Sequence, residues 1–112
     1  MAKKTEILVT KEPKRKPTHP GKILQKDILP ALDLSVSDAA KLLRVTRQTL
    51  HKIMAEKMAV TPEMAMRLGK FCGNGAALWL NLQNTYDLWN AKQSMDKELQ
   101  KIPSYATCEM RP

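Results

Sequence analysis

Apolar residues recur at helical spacing through most of the chain between residues 20 and 100. Leu24 and Ile28 are four residues apart, and Pro20 suits the first position of the helix that contains them. Pro30 is expected to end or bend this helix, because proline lacks a backbone N–H and its ring clashes with the preceding turn. No convincing pair of strands occurs in this range, so the pattern predicts an all-α domain.

Residues that begin and end helices predict four more helices along the chain. Serine and threonine side chains can accept hydrogen bonds from the first free N–H groups of a helix, and three of these residues precede apolar periodic stretches. They predict a second helix after Ser35 to about Leu43, a third from Arg47 after Thr46 to about Glu56, and a fourth after Thr61 that ends at Gly73. A long fifth helix is expected from about Ala76 to the high 90s, before Pro103.

The second and third predicted helices are short and are joined by about three residues. Ala39 and Ala40 are small enough for the two helices to cross closely, and Leu50 and Ile53 are expected to anchor the third helix to the core. This spacing is typical of the helix-turn-helix motif, in which the second helix enters the major groove of DNA with its N-terminus first.

The polar residues of the third helix are expected to lie opposite its apolar anchors. At 100° per residue, Gln48 and Lys52 point away from the core and Arg47 occupies the first turn. No acidic residue occurs between Arg47 and Ala55, and Arg, Gln, Lys and Thr side chains bond to base edges and phosphates. The predicted DNA contacts are Arg47, Gln48, Thr49, His51 and Lys52, with Ser35, Ser37 and Thr46 combining helix capping and phosphate contact. For His51, an ordinary exposed helix histidine remains the alternative.

The last predicted helix has more apolar residues than one small core can bury. Trp79 and Leu82 are expected in that core, whereas Leu80, Leu88 and Trp89 cannot all face it. Surplus apolar surface usually marks a partner, and a second copy of the chain is the simplest one. We therefore predict a homodimer. It would place the third helices of the two copies, which we call the recognition helices, about 34–36 Å apart on a palindromic site.

The formal net charge of +8 indicates a polyanionic partner, either nucleic acid or an anionic membrane surface, although simple solubility is an alternative. Residues 1–18 are rich in Lys, Thr, Glu and Pro, and we interpret them as a flexible basic arm. The predicted organisation is this arm, a helix-turn-helix and dimerisation domain over residues 19–100, and a C-terminal tail over residues 101–112.

The sequence offers little for catalysis or metal binding. The only cysteines and histidines are Cys72, Cys108, His19 and His51, and none of them has the close pair spacing of a zinc site. Because the chain also lacks a paired nucleophile and a glycine-rich phosphate loop, we expect no enzyme activity and no cofactor. No stretch approaches the roughly 20 apolar residues of a membrane span or resembles a signal peptide, which predicts a cytoplasmic, nucleoid-associated protein.

Several stretches make the chain resemble the HigA antitoxin family, within the Xre and lambda-repressor-like class. They are His19-Pro20-Gly21-Lys22-Ile23-Leu24, Thr46-Arg47-Gln48-Thr49-Leu50, Val60-Thr61-Pro62-Glu63-Met64-Ala65-Met66-Arg67-Leu68 and Leu78-Trp79-Leu80-Asn81-Leu82-Gln83-Asn84-Thr85-Tyr86-Asp87-Leu88-Trp89. The chain departs from this class at three places. Val36 stands where glutamine is common, Arg44 stands at a common turn glycine, and Ala55-Glu56 replaces Asn-Gly after the recognition helix.

The resemblance implies a five-helix lambda-repressor-like domain that acts as a dimeric repressor of its own operon. It also implies a partner toxin that is a ribosome-dependent messenger-RNA nuclease. Two surfaces are candidates for binding such a toxin: Ile7, Leu8 and Val9 in the arm, which could add a strand to a sheet edge, and the acidic residues Asp27, Asp33 and Asp38. The alternative is a stand-alone Xre-type regulator without a toxin.

Overall fold

The structure is a computed structural model that describes residues 15–105. This part of the chain contains five helices and no strand, so the predicted all-α fold is confirmed. Helix α1 covers residues 20–32 as three consecutive segments, Pro20–Ile23, Leu24–Ile28 and Leu29–Leu32. The others are α2 (Val36–Leu43), α3 (Arg47–Met54), α4 (Pro62–Cys72) and α5 (Ala76–Gln100).

Pro30 follows a change in the backbone hydrogen-bonding pattern of α1 but does not end the helix. The middle segment, Leu24–Ile28, is a π-helix, and the N–H of Leu29 donates to the carbonyl of Leu24 five residues earlier. An α-helical proline at position 30 would clash with the carbonyl of Lys26, and the wider π turn lies where this clash would occur. The helix therefore continues to Leu32 and ends at Asp33, which has a left-handed backbone conformation.

The predicted caps begin and end the helices as expected. Ser35, Thr46 and Thr61 each accept a hydrogen bond from the backbone N–H three residues later, at 3.1, 3.0 and 3.2 Å. Gly73 ends α4 with a φ of 76°, a left-handed conformation that glycine adopts without steric cost. These local interactions satisfy backbone groups that the helix ends leave unpaired, which explains why the sequence could predict them.

The core lies between α1 to α4 and the first half of α5. Leu50 and Ile53 of α3 are fully buried, as is Trp79 of α5, whose indole Nε1–H donates to Asn74 Oδ1 at 2.9 Å. Leu82 is half-buried against this core, so the predicted placement of Trp79 and Leu82 is confirmed. Residues 91–105 are all exposed, because the second half of α5 continues past the packed helices.

Candidate nucleic-acid interface

Helix α3 buries one side and exposes the residues predicted to contact DNA. Leu50, Ile53 and Met54 form the buried side. The predicted contacts Arg47, Gln48, His51 and Lys52 are exposed and Thr49 is half-buried. The exposed side carries positive charge and amide and hydroxyl groups without a carboxylate, which is the chemistry that recognises base edges and phosphates.

Two threonines shape the N-terminus of α3. Thr46 Oγ1 accepts the N–H of Thr49 and lies 2.8 Å from Thr49 Oγ1, so the two hydroxyls are hydrogen-bonded to each other. Ser35 Oγ performs the same capping role for α2, and Ser37 is exposed in the first turn of that helix. Both helices thus begin with exposed, capped N-termini, where the remaining N–H groups and the helix dipole favour an anion.

The turn between α2 and α3 contains a non-glycine residue in a left-handed conformation. Arg44 has φ 62° and ψ 42°, and its N–H and that of Val45 bond to the carbonyls of Lys41 and Ala40. From α4, Arg67 Nη1 donates to the carbonyl of Leu43 at 2.9 Å and to that of Arg44 at 3.3 Å. Arg67 therefore binds the turn directly, a role that helical periodicity could not indicate.

Glu56, just after the recognition helix, is also left-handed, with φ 65°. Its carboxylate accepts a hydrogen bond from Tyr86 Oη of α5 at 3.1 Å and pairs with Lys22 Nζ of α1 at 3.5 Å. The ring of Tyr86 meets His19 edge to face, with centroids 4.8 Å apart, and Lys16 Nζ lies 5.3 Å from the Tyr86 centroid. The C-terminal end of the recognition helix is therefore attached to both α1 and α5.

His19 and Gln83 are the two buried polar residues of the domain that the structure describes. His19 caps α1, because its Nδ1 accepts the N–H of Gly21 at 2.9 Å, and burial lowers its pKa although Glu56 and Asp87 act to raise it. Gln83 Oε1 accepts the N–H of Val60 at 2.8 Å, and its Nε2 donates to Asp87. Both side chains hold backbone segments in place, so their chemistry is structural.

The residues predicted for dimerisation and toxin binding lie on elements other than α3. On α5, Leu88 is 70% exposed and Trp89 is half-buried, whereas Leu80 is half-buried against the hydrophobic core. The three predicted acidic residues are exposed: Asp27 lies within α1, Asp33 caps its C-terminus, and Asp38 lies in the first turn of α2. Ile7, Leu8 and Val9 lie outside the described residues.

Two further properties of residues 15–105 bear on function. In this range, no three or more His, Cys, Asp or Glu side chains come together in a way that could hold a metal ion. None of the helices described is both long and apolar enough to cross a membrane.

A helix-turn-helix whose second helix exposes a basic side is typical of transcription regulators, and comparison with known proteins places the chain in that class. The chain is 39% identical over 98 residues to the uncharacterised HTH-type transcriptional regulator YbaQ of Escherichia coli K12, which covers 86% of this chain and 87% of the relative. The Pseudomonas aeruginosa antitoxin HigA, solved with the higBA promoter, superimposes with a TM-score of 0.75 at 34% identity, covering 79% of this chain and 97% of HigA. The antitoxin GraA in complex with its operator gives 0.77 at 29% identity, covering 86% and 98%.

This chain belongs to the HigA family of antitoxins, within the HTH-type transcriptional regulators. The family assignment agrees with the resemblance in the sequence and places the protein in a non-enzymatic class. No protein-family model matches the chain.

Proposed function

We propose that this protein is an antitoxin that binds operator DNA of its own promoter as a dimer and represses transcription. The observation that carries the proposal is the exposed side of α3, where Arg47, Gln48, His51 and Lys52 project without an acidic neighbour on the helix. The HigA of P. aeruginosa and GraA, both similar in structure, were solved with promoter or operator DNA. Binding to a DNA fragment from the promoter of its own gene tests the proposal directly.

In the proposed complex, α3 lies in the major groove and the capped ends of α2 and α3 meet the backbone. Arginine can bond bidentately to guanine and glutamine to adenine, so Arg47 and Gln48 are the proposed base contacts. Lys52 and the helix N-termini at Ser35 and Thr46 supply charge and N–H donors for phosphates. Thr49, Ser37 and His51 complete the proposed surface.

The proposed dimer uses α5. Leu88 presents a large apolar side chain to solvent in the described chain, and half-buried Trp89 follows it directly. Leu80, about two helical turns earlier, packs partly against the core and would contribute only its exposed part. A second copy would cover this surface with its own α5, as a two-fold interface requires. The two recognition helices would then read successive major grooves, about 34–36 Å apart.

Leu88→Asp is expected to convert the dimer to a monomer, because it places a charge in the centre of the proposed apolar interface. Light scattering at micromolar concentration should show the molar mass falling by half. Lys97→Ala is the matched control, since it changes the net charge by the same amount from the opposite side of α5. A parent protein that is monomeric at this concentration would contradict the proposed interface.

The partner implied by family membership is a toxin that cleaves messenger RNA on the ribosome. Nucleases of this kind tend to be basic, and a chain with a net charge of +8 gains little from whole-molecule attraction to a basic partner. Local features must then provide the affinity. We favour the arm, where Ile7, Leu8 and Val9 could add a strand to a toxin sheet through main-chain hydrogen bonds and leave the DNA surface free.

Deletion of residues 2–14 is expected to weaken toxin binding at least about tenfold, because the added strand and its apolar contacts are lost. Calorimetry with the product of the neighbouring reading frame measures the affinity. The deletion keeps Lys16 and its contact with Tyr86, so the folded domain should be retained, and its thermal unfolding is the control.

A triple variant separates the second candidate surface from the arm. Asp27→Asn, Asp33→Asn and Asp38→Asn together remove three charges and keep the side-chain shapes, and asparagine tolerates the left-handed backbone of Asp33. If only this variant loses affinity, the acidic residues bind the toxin and the arm does not.

A stand-alone regulator is the second candidate function, because relatives such as YbaQ are described only as HTH-type transcriptional regulators. The two functions predict different neighbouring genes. A basic protein of about 90–100 residues encoded beside this chain favours the antitoxin, whereas no affinity of the full-length protein for the neighbouring product favours the regulator.

A further inference from the structure

Arg67 stands out among the basic residues because its guanidinium group is directed at backbone oxygens within the protein. Arg67 lies on α4, and its Nη1 donates to the carbonyls of both Leu43 and Arg44. These carbonyls are at the C-terminal end of α2, where the helix dipole is negative and carbonyls lack intrahelical partners. A positive group with several N–H donors suits this position.

The turn that Arg67 contacts sets the angle between α2 and α3. The N–H groups of Arg44 and Val45 donate to the carbonyls of Lys41 and Ala40. The carbonyls of Leu43 and Arg44 instead accept hydrogen bonds from Arg67. Arg44 holds φ 62° although its side chain disfavours the left-handed region, whereas glycine would adopt it freely. The turn therefore depends on an external partner more than a glycine turn would.

We propose that Arg67 is a positioning residue for DNA recognition, which orients α3 by holding the left-handed turn at Arg44. The proposal rests on the proposed operator binding. It assigns Arg67 no contact with DNA, and it predicts that Arg67 and Arg44 are coupled. A loosened turn would misplace Arg47 and Gln48, which lie one and two residues beyond the Thr46 cap, and base reading is more sensitive to such misplacement than phosphate contact is.

The experiment compares affinity for the promoter fragment with affinity for unrelated DNA of the same length, at a temperature well below the unfolding transition. Arg67→Met keeps much of the side-chain length and removes the donors. It should lower affinity for the promoter at least about tenfold and lower affinity for unrelated DNA clearly less. Loss of both affinities in the same proportion, as a partly folded variant would show, would contradict the positioning role.

Rescue at Arg44 provides the second readout. In the Arg67→Met background, Arg44→Gly should restore most of the preference for the promoter, because glycine holds the left-handed turn without strain. Arg44→Ala removes the same charge but keeps the strain, so it should not restore the preference. Equal effects of glycine and alanine would overturn the proposed coupling.

The parent protein in the same assay distinguishes failure of the positioning role from failure of the proposed operator binding. If the parent prefers the promoter and Arg67→Met keeps the same preference, the positioning role of Arg67 is wrong while operator binding stands. If the parent shows no preference for the promoter fragment, both proposals are overturned.

Discussion

Replacing Arg47 or Gln48 with alanine is expected to weaken promoter binding by about 1–3 kcal/mol each, or about 5- to 160-fold. Each side chain is exposed near the N-terminus of α3, and neither contributes to the hydrophobic core. Truncation is therefore expected to remove a proposed base contact while the fold is retained. Fluorescence anisotropy or gel shifts at one fixed salt concentration would measure the change, since phosphate contacts make DNA affinity strongly dependent on salt.

Two exposed residues of α5 provide controls for these variants. Lys97→Ala removes one positive charge and Gln93→Ala removes one amide, in both cases outside the helix-turn-helix motif. We expect both controls to bind the promoter within about twofold of the parent, because neither lies on the proposed DNA surface. If Arg47→Ala and Gln48→Ala also bind like the parent, the exposed side of α3 is not the recognition surface.

Gly21→Ala is expected to destabilise the fold by more than about 3 kcal/mol, which lowers the melting temperature by roughly 12–24 °C in a domain of this size. A Cβ atom at this position would overlap the carbonyl oxygen of Ile53 and lie 3.0 Å from Cα of Met54. These are backbone atoms of α3 that no side-chain rotation can move. The roughly 1 kcal/mol by which alanine favours a helix over glycine is therefore outweighed by the clash.

Gly73→Ala is the matched control for Gly21→Ala. The position has open space around a new Cβ and a left-handed φ of 76°, so the expected cost is about 1–2 kcal/mol from backbone strain alone. Thermal unfolding followed by circular dichroism would compare the two variants. Equal losses of stability would mean that α1 can move away from α3, and that the close approach at Gly21 does not fix the position of the recognition helix.

Local interactions explain how much of this fold the sequence alone predicts. The caps at Ser35, Thr46 and Thr61 bond to N–H groups only three residues away, so they are encoded within a single turn of chain. The buried side of α3 follows from the 3.6-residue period in the same way. Short-range patterns of this kind are therefore sufficient to locate the helix-turn-helix and the exposed residues of its second helix.

Pairs of distant residues account for what the sequence did not predict. Its departures from the family pattern at Arg44 and Glu56 are visible in the sequence, but their partners Arg67 and Tyr86 lie 23 and 30 residues away along the chain. Periodicity and capping act within a few residues, and they carry no information about which distant side chain reaches a given carbonyl or carboxylate.

The sequence by itself thus determined the helices, their caps and the chemistry of the exposed side of α3 that we propose as the DNA surface. The tertiary structure decided how that surface is held. Arg67 binds the turn before α3, the backbone of Gly21 touches Ile53 within it, and Tyr86 holds Glu56 just after it. The physical reason is that the orientation of a helix depends on contacts between segments far apart in the chain, which form only when the helices pack together.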